Sequence, residues 1–157
     1  MNESEKTENY LREVVVNYRG ARRKAPVIKD SQSVVRFLKK TLTDNSREHF
    51  IVLYLDTVNQ VIGFTVSAIG TQKSCPVNIG EIFQKAVLLG ANSLIVAHNH
   101  PSGSTHPSKQ DRAVTQRISD AGEILDIPLL DHIIFGGKTH FSFNETHLLS
   151  VIKIHGA

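Results

Sequence analysis

The residues best suited to chemistry lie in one short stretch, AHNHPSGSTHPSKQD, residues 97–111. Residues 94–97 read as a short buried strand, and side chains two apart on a strand share a face. His98 and His100 therefore point at one spot, provided the extended geometry persists to the strand's end. Pro101 and Gly103 then turn the chain. Residues 107–111 (PSKQD) have the form of a helix start, with Ser108 as N-cap and Asp111 three residues later. Such a turn brings Asp111 back toward the histidines. Two imidazoles and one carboxylate suit zinc, and three protein ligands leave a fourth tetrahedral position for water. Zinc lowers the pKa of such a water to about 7. A plainer reading uses the same residues. Ser108 and Asp111 can be a capping pair alone, since the helix dipole favours an acid there anyway, and His98 and His100 can be loop histidines. The spacing leaves both readings open, and the two are compatible.

The surrounding elements must position these groups. Residues 14–18 (VVVNY) read as a short strand and residues 20–26 as a basic connector. Asp30-Ser31 can cap a helix through Val34, Val35, Phe37 and Leu38, at helical spacing. Residues 43–46 (TDNS) break it. Residues 49–56 and 61–69 are apolar strands separated by four turn residues, the pattern of a hairpin. A helix opens at Gly80-Glu81 and closes at Gly90. After the strand at 94–97 and the Pro/Gly/Ser loop at 98–107, a helix runs from Ser108 to about Leu125. Strands at 127–135 and 139–143 follow, turned by Gly136-Gly137, and the tail reads as a short helix with a loose end. Helices interleaved with strands predict an α/β fold, a sandwich with helices on both faces of a mixed sheet.

Length and composition agree with one domain. The chain has 157 residues, 40% hydrophobic and 21% charged, an ordinary globular mix. No apolar run approaches the roughly 18–20 residues that span a bilayer, and the polar N-terminus lacks the pattern of a secretory signal. One cysteine, Cys75, excludes an intramolecular disulfide and a Cys-rich zinc ribbon. A cytoplasmic location without membrane association is the expectation. The net charge is +3, unevenly spread: residues 12–40 hold nine Lys/Arg against Glu13 and Asp30. Such a segment can mark a DNA-binding surface. A solvated face plus a basic loop is the simpler account, because no aromatic residues alternate with the charges as a stacking platform.

The pattern His98-x-His100-Pro101 followed by Ser108-x-x-Asp111 resembles the JAMM motif of the MPN/JAB metalloprotease superfamily. The fuller string HNHPSG…PS..D resembles its RadC branch. So do FIVLYLDTVNQVIG at 50–63, GEIFQKAVLLGANSLIVAHNHPSG at 80–103 and LLDHIIFGG at 129–137. The resemblance covers roughly residues 30–145. It implies a cytidine-deaminase-like JAB/MPN fold, a three-layer α/β/α sandwich around a mixed sheet, with one zinc ion per chain. On it, His98, His100 and Asp111 match the metal ligands. Ser108 matches the serine beside the metal that steadies a developing oxyanion. Glu48, at the start of an apolar strand in EHFIVLYLD, matches the family's glutamate.

A hydrolytic zinc needs a nearby general base, and Glu48 can reach the site from a neighbouring element. It can equally be a solvated strand-end carboxylate. Glu81 is the rival, but an acid in the first turn of a helix is expected there regardless. Asp56, Asp131 and Glu123 have weaker cases. His132 resembles a family position near the site. It reads as a core histidine bonded to a backbone carbonyl or, with Asp131, as support for a ligand's second nitrogen. His106 belongs to the loop, and His140, His147 and His155 look peripheral.

Other catalytic signatures are missing. The letters His98-Asn99-His100 are not an HNH nuclease, whose residues are dispersed through a ββα unit. The H-x-E and P-C-x-x-C of zinc deaminases are absent, as are H-E-x-x-H, G-x-S-x-G and a Walker A loop. The helix-hairpin-helix module of longer RadC proteins is absent too, so the chain resembles the short, stand-alone RadC-like proteins often found on mobile elements. The expected layout is an extension over residues 1–29, with a strand and a basic linker, and a zinc domain over residues 30–157. The expected activity is zinc-dependent hydrolysis of a peptide or isopeptide bond in a protein or peptide substrate. The alternative is a DNA-associated accessory protein or metal-dependent nuclease linked to DNA repair or mobile elements. Residues 14–18 can also pair between chains, which makes a homodimer an expectation.

Overall fold

A computed structural model of the chain describes residues 24–42, 44–70 and 77–150. The expected strand at 14–18, Cys75, His155 and most of the basic connector lie outside the described residues. Eight elements follow in order: α1 (Ser31–Thr41), β1 (Glu48–Leu55), β2 (Val61–Gly70), α2 (Ile79–Leu89), β3 (Ser93–Asn99), α3 (Lys109–Ile124), β4 (Leu129–Gly136) and β5 (Thr139–Ser142). The strands form one sheet in the order β2-β1-β3-β4-β5. Only β3 and β4 run parallel, and α3 makes the crossover between them. The other neighbours are antiparallel, so the sheet is mixed, as expected.

Alternation along β1 and β3 builds the two faces. Ile51, Leu53 and Leu55 of β1 and Ile95 and Ala97 of β3 pack under α1, which contributes Val34, Val35 and Leu38. Phe50, Val52 and Tyr54, with Leu94 and Val96, pack under α2 and α3 through Ile82, Phe83, Ala86 and Ile118. Helices on both faces make a three-layer α/β/α sandwich. β3 is buried along its whole length, as a strand covered on both faces must be.

Each helix is bounded by the residues that the sequence offers. Asp30 caps α1: its carboxylate accepts the Ser33 N–H at 2.7 Å, and Ser33 Oγ accepts the Asp30 N–H at 3.2 Å. Asn78 caps α2, and Gly90 ends it with φ +66°, a left-handed conformation that suits glycine. The basic residues Arg36, Lys39 and Lys40 lie exposed on α1, the helix that covers the face opposite α3. Among the described residues no helix is long and apolar enough to cross a membrane.

Two strands differ from the sequence reading by two residues at one end, the others by one. β3 runs on through His98 to Asn99 rather than stopping at Ala97, because β1 pairs with it as far as His98 and β4 as far as Asn99. β4 begins at Leu129 rather than at residue 127, since Ile127 N–H still closes the end of α3 on the Gly122 carbonyl.

Candidate metal centre

The sheet register brings the polar groups together. Phe50 of β1 lies opposite His98 of β3, and the same antiparallel register sets Glu48 opposite His100 just beyond the strand end. Glu48 and Phe50 share a face of β1, and His98 lies on the matching face of β3, toward α3. The extended geometry that His98 and His100 require is supplied by β4, whose Phe135 carbonyl accepts the His100 N–H at 3.0 Å.

The loop after His100 then has to turn back tightly. The Gly103 N–H closes on the His100 carbonyl at 3.0 Å, and Gly103 itself has φ +82°. Its backbone lies so near the end of β4 that a Cβ on Gly136 would meet Gly103 carbon and oxygen at 2.8 Å. Glycine at 136 permits this approach, and glycine at 103 suits the left-handed turn. The return delivers the N-terminus of α3 to the site.

At that N-terminus, one arrangement caps the helix and turns a carboxylate oxygen toward the histidines. Ser108 and Asp111 form a reciprocal capping box: Ser108 Oγ accepts the Asp111 N–H at 3.1 Å, and Asp111 Oδ2 accepts the Ser108 N–H at 2.6 Å. Asp111 Oδ1 is left to face His98 Nε2 at 3.2 Å. His100 Nε2 stands 2.9 Å from His98 Nε2 and 3.9 Å from Asp111 Oδ2. Glu48, His98, His100 and Asp111 each offer one ligand atom, all within 4.8 Å of one another. His98 and Asp111 are buried, whereas Glu48 and His100 are partly open to solvent.

The donor chemistry of this cluster fits a divalent cation. His100 Nδ1 lies 2.7 Å from the Ser104 carbonyl, which only accepts, so the ring hydrogen sits on Nδ1 and Nε2 presents a lone pair. That lone pair faces a second imidazole nitrogen and a carboxylate, and the three lack a positive charge between them. Burial pushes the Asp111 carboxyl up. The neighbouring His98, then the hydrogen bonds of Ser108, outweigh it, holding Asp111 well below its ordinary 3.8. A cation at this point would supply the missing charge.

The surroundings hold the cluster in place. The Phe50 ring stacks on His98, with centroids 6.0 Å apart and an interplanar angle of 15°. Asn99 Oδ1 accepts the His49 N–H and Asn99 Nδ2 donates to the Arg47 carbonyl, both at 2.8 Å, so the backbone is held on either side of Glu48. Spacing offered no sign of this role for the residue between the two histidines. His98 Nδ1 lies 2.8 Å from His132 Nε2, and His132 Nδ1 lies 2.6 Å from Thr115 Oγ1. Burial, then neighbouring His98, keeps His132 neutral, with its pKa well below 6.5 despite the opposing pull of Asp111. The His132 ring thus meets neither a backbone carbonyl nor Asp131, the two partners that the sequence left open. Neighbours on a strand face opposite ways, and Asp131 accepts instead from Ser142 Oγ and the Asn144 N–H. Thr115 has the place the carboxylate was expected to fill, and its spacing from Asp111, one helical turn, is the available sequence signal.

The remaining candidates lie elsewhere. Glu81 bonds Asn78 Nδ2 and pairs with Lys85 on α2. Asp56 holds the turn into β2 through the Val58 and Gln60 N–H groups. Glu123 lies near the end of α3, outside the cluster. His106 is exposed in the loop, and His140 bonds Ser31 Oγ at 2.8 Å.

The mixed sheet with helices on both faces is consistent with the JAB/MPN fold, and it carries a His-x-His strand end beside a capping-box aspartate, a group that could hold a metal ion. The family model described as a RadC-like JAB domain matches residues 28–148, and the chain belongs to that family. It is similar to UPF0758 proteins of Rubrobacter xylanophilus (41% identity over 124 residues) and Carboxydothermus hydrogenoformans (44% over 115). Another, from Chlorobaculum parvum, is 38% identical over 122 residues. These alignments cover 79%, 73% and 78% of this chain but 54%, 51% and 55% of the relatives. The chain thus spans about half the length of the curated relatives it matches.

Proposed function

We propose that this domain is a zinc-dependent hydrolase that cleaves an amide bond, in a peptide or an isopeptide. The observation that carries the reading is the convergence of Glu48, His98, His100 and Asp111 within 4.8 Å at the partly open end of β3. Two imidazoles and a carboxylate are a zinc-type donor set that leaves a position for water. His98, His100 and Asp111 are the ligands in this reading, one ion per chain. When bound, zinc would supply a Lewis acid and bring the pKa of water to about 7.

The chain's own groups do the rest. Glu48, partly exposed opposite His100, takes a proton from the attacking water as its oxygen bonds the carbonyl carbon. It returns that proton to the nitrogen as the carbon–nitrogen bond breaks, so the amine leaves neutral. Ser108 Oγ accepts the Asp111 N–H with a lone pair, which leaves its O–H to donate to the developing oxyanion.

Elemental analysis of purified wild type, Glu48→Gln and His98→Ala/His100→Ala tests the reading, paired with peptide, isopeptide and phosphodiester substrates. One zinc in wild type and Glu48→Gln, none in the double variant, and amide cleavage reduced by about 100-fold or more in Glu48→Gln is the expected pattern. A folded wild type that takes up no zinc overturns it. Cleavage of phosphodiesters but not amides would replace the amide reading with a nuclease.

A further inference from the structure

His132 is fully buried, and no step above uses it. Its ring stacks on Phe143, with centroids 4.8 Å apart and 11° between planes, so it has little freedom to turn. Each ring nitrogen has one partner: Nε2 meets His98 Nδ1 at 2.8 Å, and Nδ1 meets Thr115 Oγ1 at 2.6 Å. The chain continues one step further, because the Thr115 hydroxyl donates to the Asp111 backbone carbonyl at 2.5 Å.

That last contact fixes the direction of all the others. A carbonyl only accepts, and a hydroxyl has a single hydrogen to give. With that hydrogen on the carbonyl, Thr115 Oγ1 must accept from His132, so His132 carries N–H at Nδ1. A neutral imidazole has one N–H, so His132 Nε2 accepts, and His98 must carry its hydrogen at Nδ1. His98 Nε2 is then directed to the point shared with His100 and Asp111. The chain starts at the backbone of one ligand residue, Asp111, and ends on the ring of another, His98.

We propose that Thr115 and His132 are positioning residues, which hold His98 in the form protonated at Nδ1 and so set the affinity of the cluster for a divalent cation. This rests on the metal-centre reading above. It assigns Thr115 a role through its hydroxyl rather than its bulk. Valine has nearly the same shape and no hydroxyl, so Thr115→Val removes the anchor and lets His132 reverse. Its hydrogen then moves to Nε2, His98 Nδ1 becomes the acceptor, and the His98 hydrogen falls on Nε2, where the cation must bind.

Zinc affinity, measured on the full chain by competition with a chromophoric chelator, tests this across wild type, Thr115→Val, Thr115→Ser and His132→Gln. Removal of such outer partners weakens metal binding by roughly 10–100-fold, and that is expected for Thr115→Val and His132→Gln, with Thr115→Ser near wild type. Nitrogen-15 spectra of the wild-type histidines supply a readout that needs no folded variant: His98 should carry hydrogen at Nδ1 with and without zinc. Folded Thr115→Val that binds zinc as tightly as wild type, or His98 bare at Nδ1, would overturn the proposal while leaving the metal centre standing. A wild type that binds no zinc would remove the metal centre and the proposal together.

Discussion

Asn99 braces Glu48 without touching its carboxylate: the Asn99 amide bonds the peptide groups of Arg47 and His49, the residues on either side, at 2.8 Å each. The residue between the two histidines of β3 thus holds the element that brings in the fourth member of the cluster. Asn99 is buried, as is the His49 backbone it serves. Replacing Asn99 with alanine strands the buried His49 N–H, whereas the Arg47 carbonyl keeps its contact with His49 Nδ1 at 2.9 Å. A loss of about 1–3 kcal/mol in urea unfolding is expected, the usual cost of one unsatisfied buried group. Faster exchange of the His49 amide hydrogen would locate the damage at Glu48. Unchanged stability and exchange would show that the brace carries no weight.

The loop between β3 and α3 is expected to be intolerant of a single methyl group. A Cβ on Gly136 meets Gly103 backbone at 2.8 Å, and backbone cannot swing aside as a side-chain tip can. Gly136→Ala should cost about 1–3 kcal/mol, the usual range for overpacking, and should weaken zinc binding because the displaced loop joins His100 to Asp111. Thermal melts with and without zinc measure both effects. A variant equal to wild type in both would mean the loop relaxes freely.

Metal removal should be visible as a loss of stability. An ion that binds the folded chain alone stabilises it by about 2.7 kcal/mol at a hundred times its dissociation constant. Chelation should therefore lower the wild-type melting temperature, and zinc should restore it. Asp111→Asn keeps a side-chain oxygen for the helix cap but lacks the charge, so its melting temperature should not respond. A response equal to that of wild type would remove Asp111 from the ligand set.

Acid should destabilise the metal-free protein through His132. Its pKa lies well below the ordinary 6.5 because burial, foremost, disfavours the charged ring. The unfolded chain takes up this proton near pH 6.5, and the folded chain does so only at lower pH. The contribution is therefore fully present above 6.5 and is lost as pH falls below it, by at most about 1.4 kcal/mol per unit for one proton. Urea unfolding of chelator-treated wild type and His132→Gln from pH 7.5 to 5 should give a steeper decline for wild type. Equal slopes would mean that His132 is protonated alike in both states.

Much of the architecture was legible in the chain because it rests on local rules. Asp30, Ser108 and Gly90 mark helix ends by chemistry that acts within four residues. The apolar runs of β1 and β2 with five residues between them specify a hairpin. The spacing of His98, His100 and Asp111 was likewise readable, since a strand end, a turn and a capped helix are each local. What spacing left open was whether Asp111 caps the helix or faces a metal. The structure gives each oxygen its own partner: Oδ2 is taken by Ser108 N–H and Oδ1 turns to His98.

Sequence by itself determined the described helices and strands to within a few residues, the helix ends at Asp30, Gly90 and Ser108, and the short segment that holds three of the four clustered residues. Tertiary structure alone decided that Glu48 rather than Glu81 joins them, that Asn99 braces it, and that Thr115 rather than Asp131 backs His132. The reason is physical. Caps and turns depend on dihedral angles and bonds within a few residues, so residue order encodes them directly. Cross-strand register and the packing of α3 on β4 join positions 17 to 52 residues apart. Those contacts exist only once the two faces of the sheet are buried and each strand's alternation is fixed.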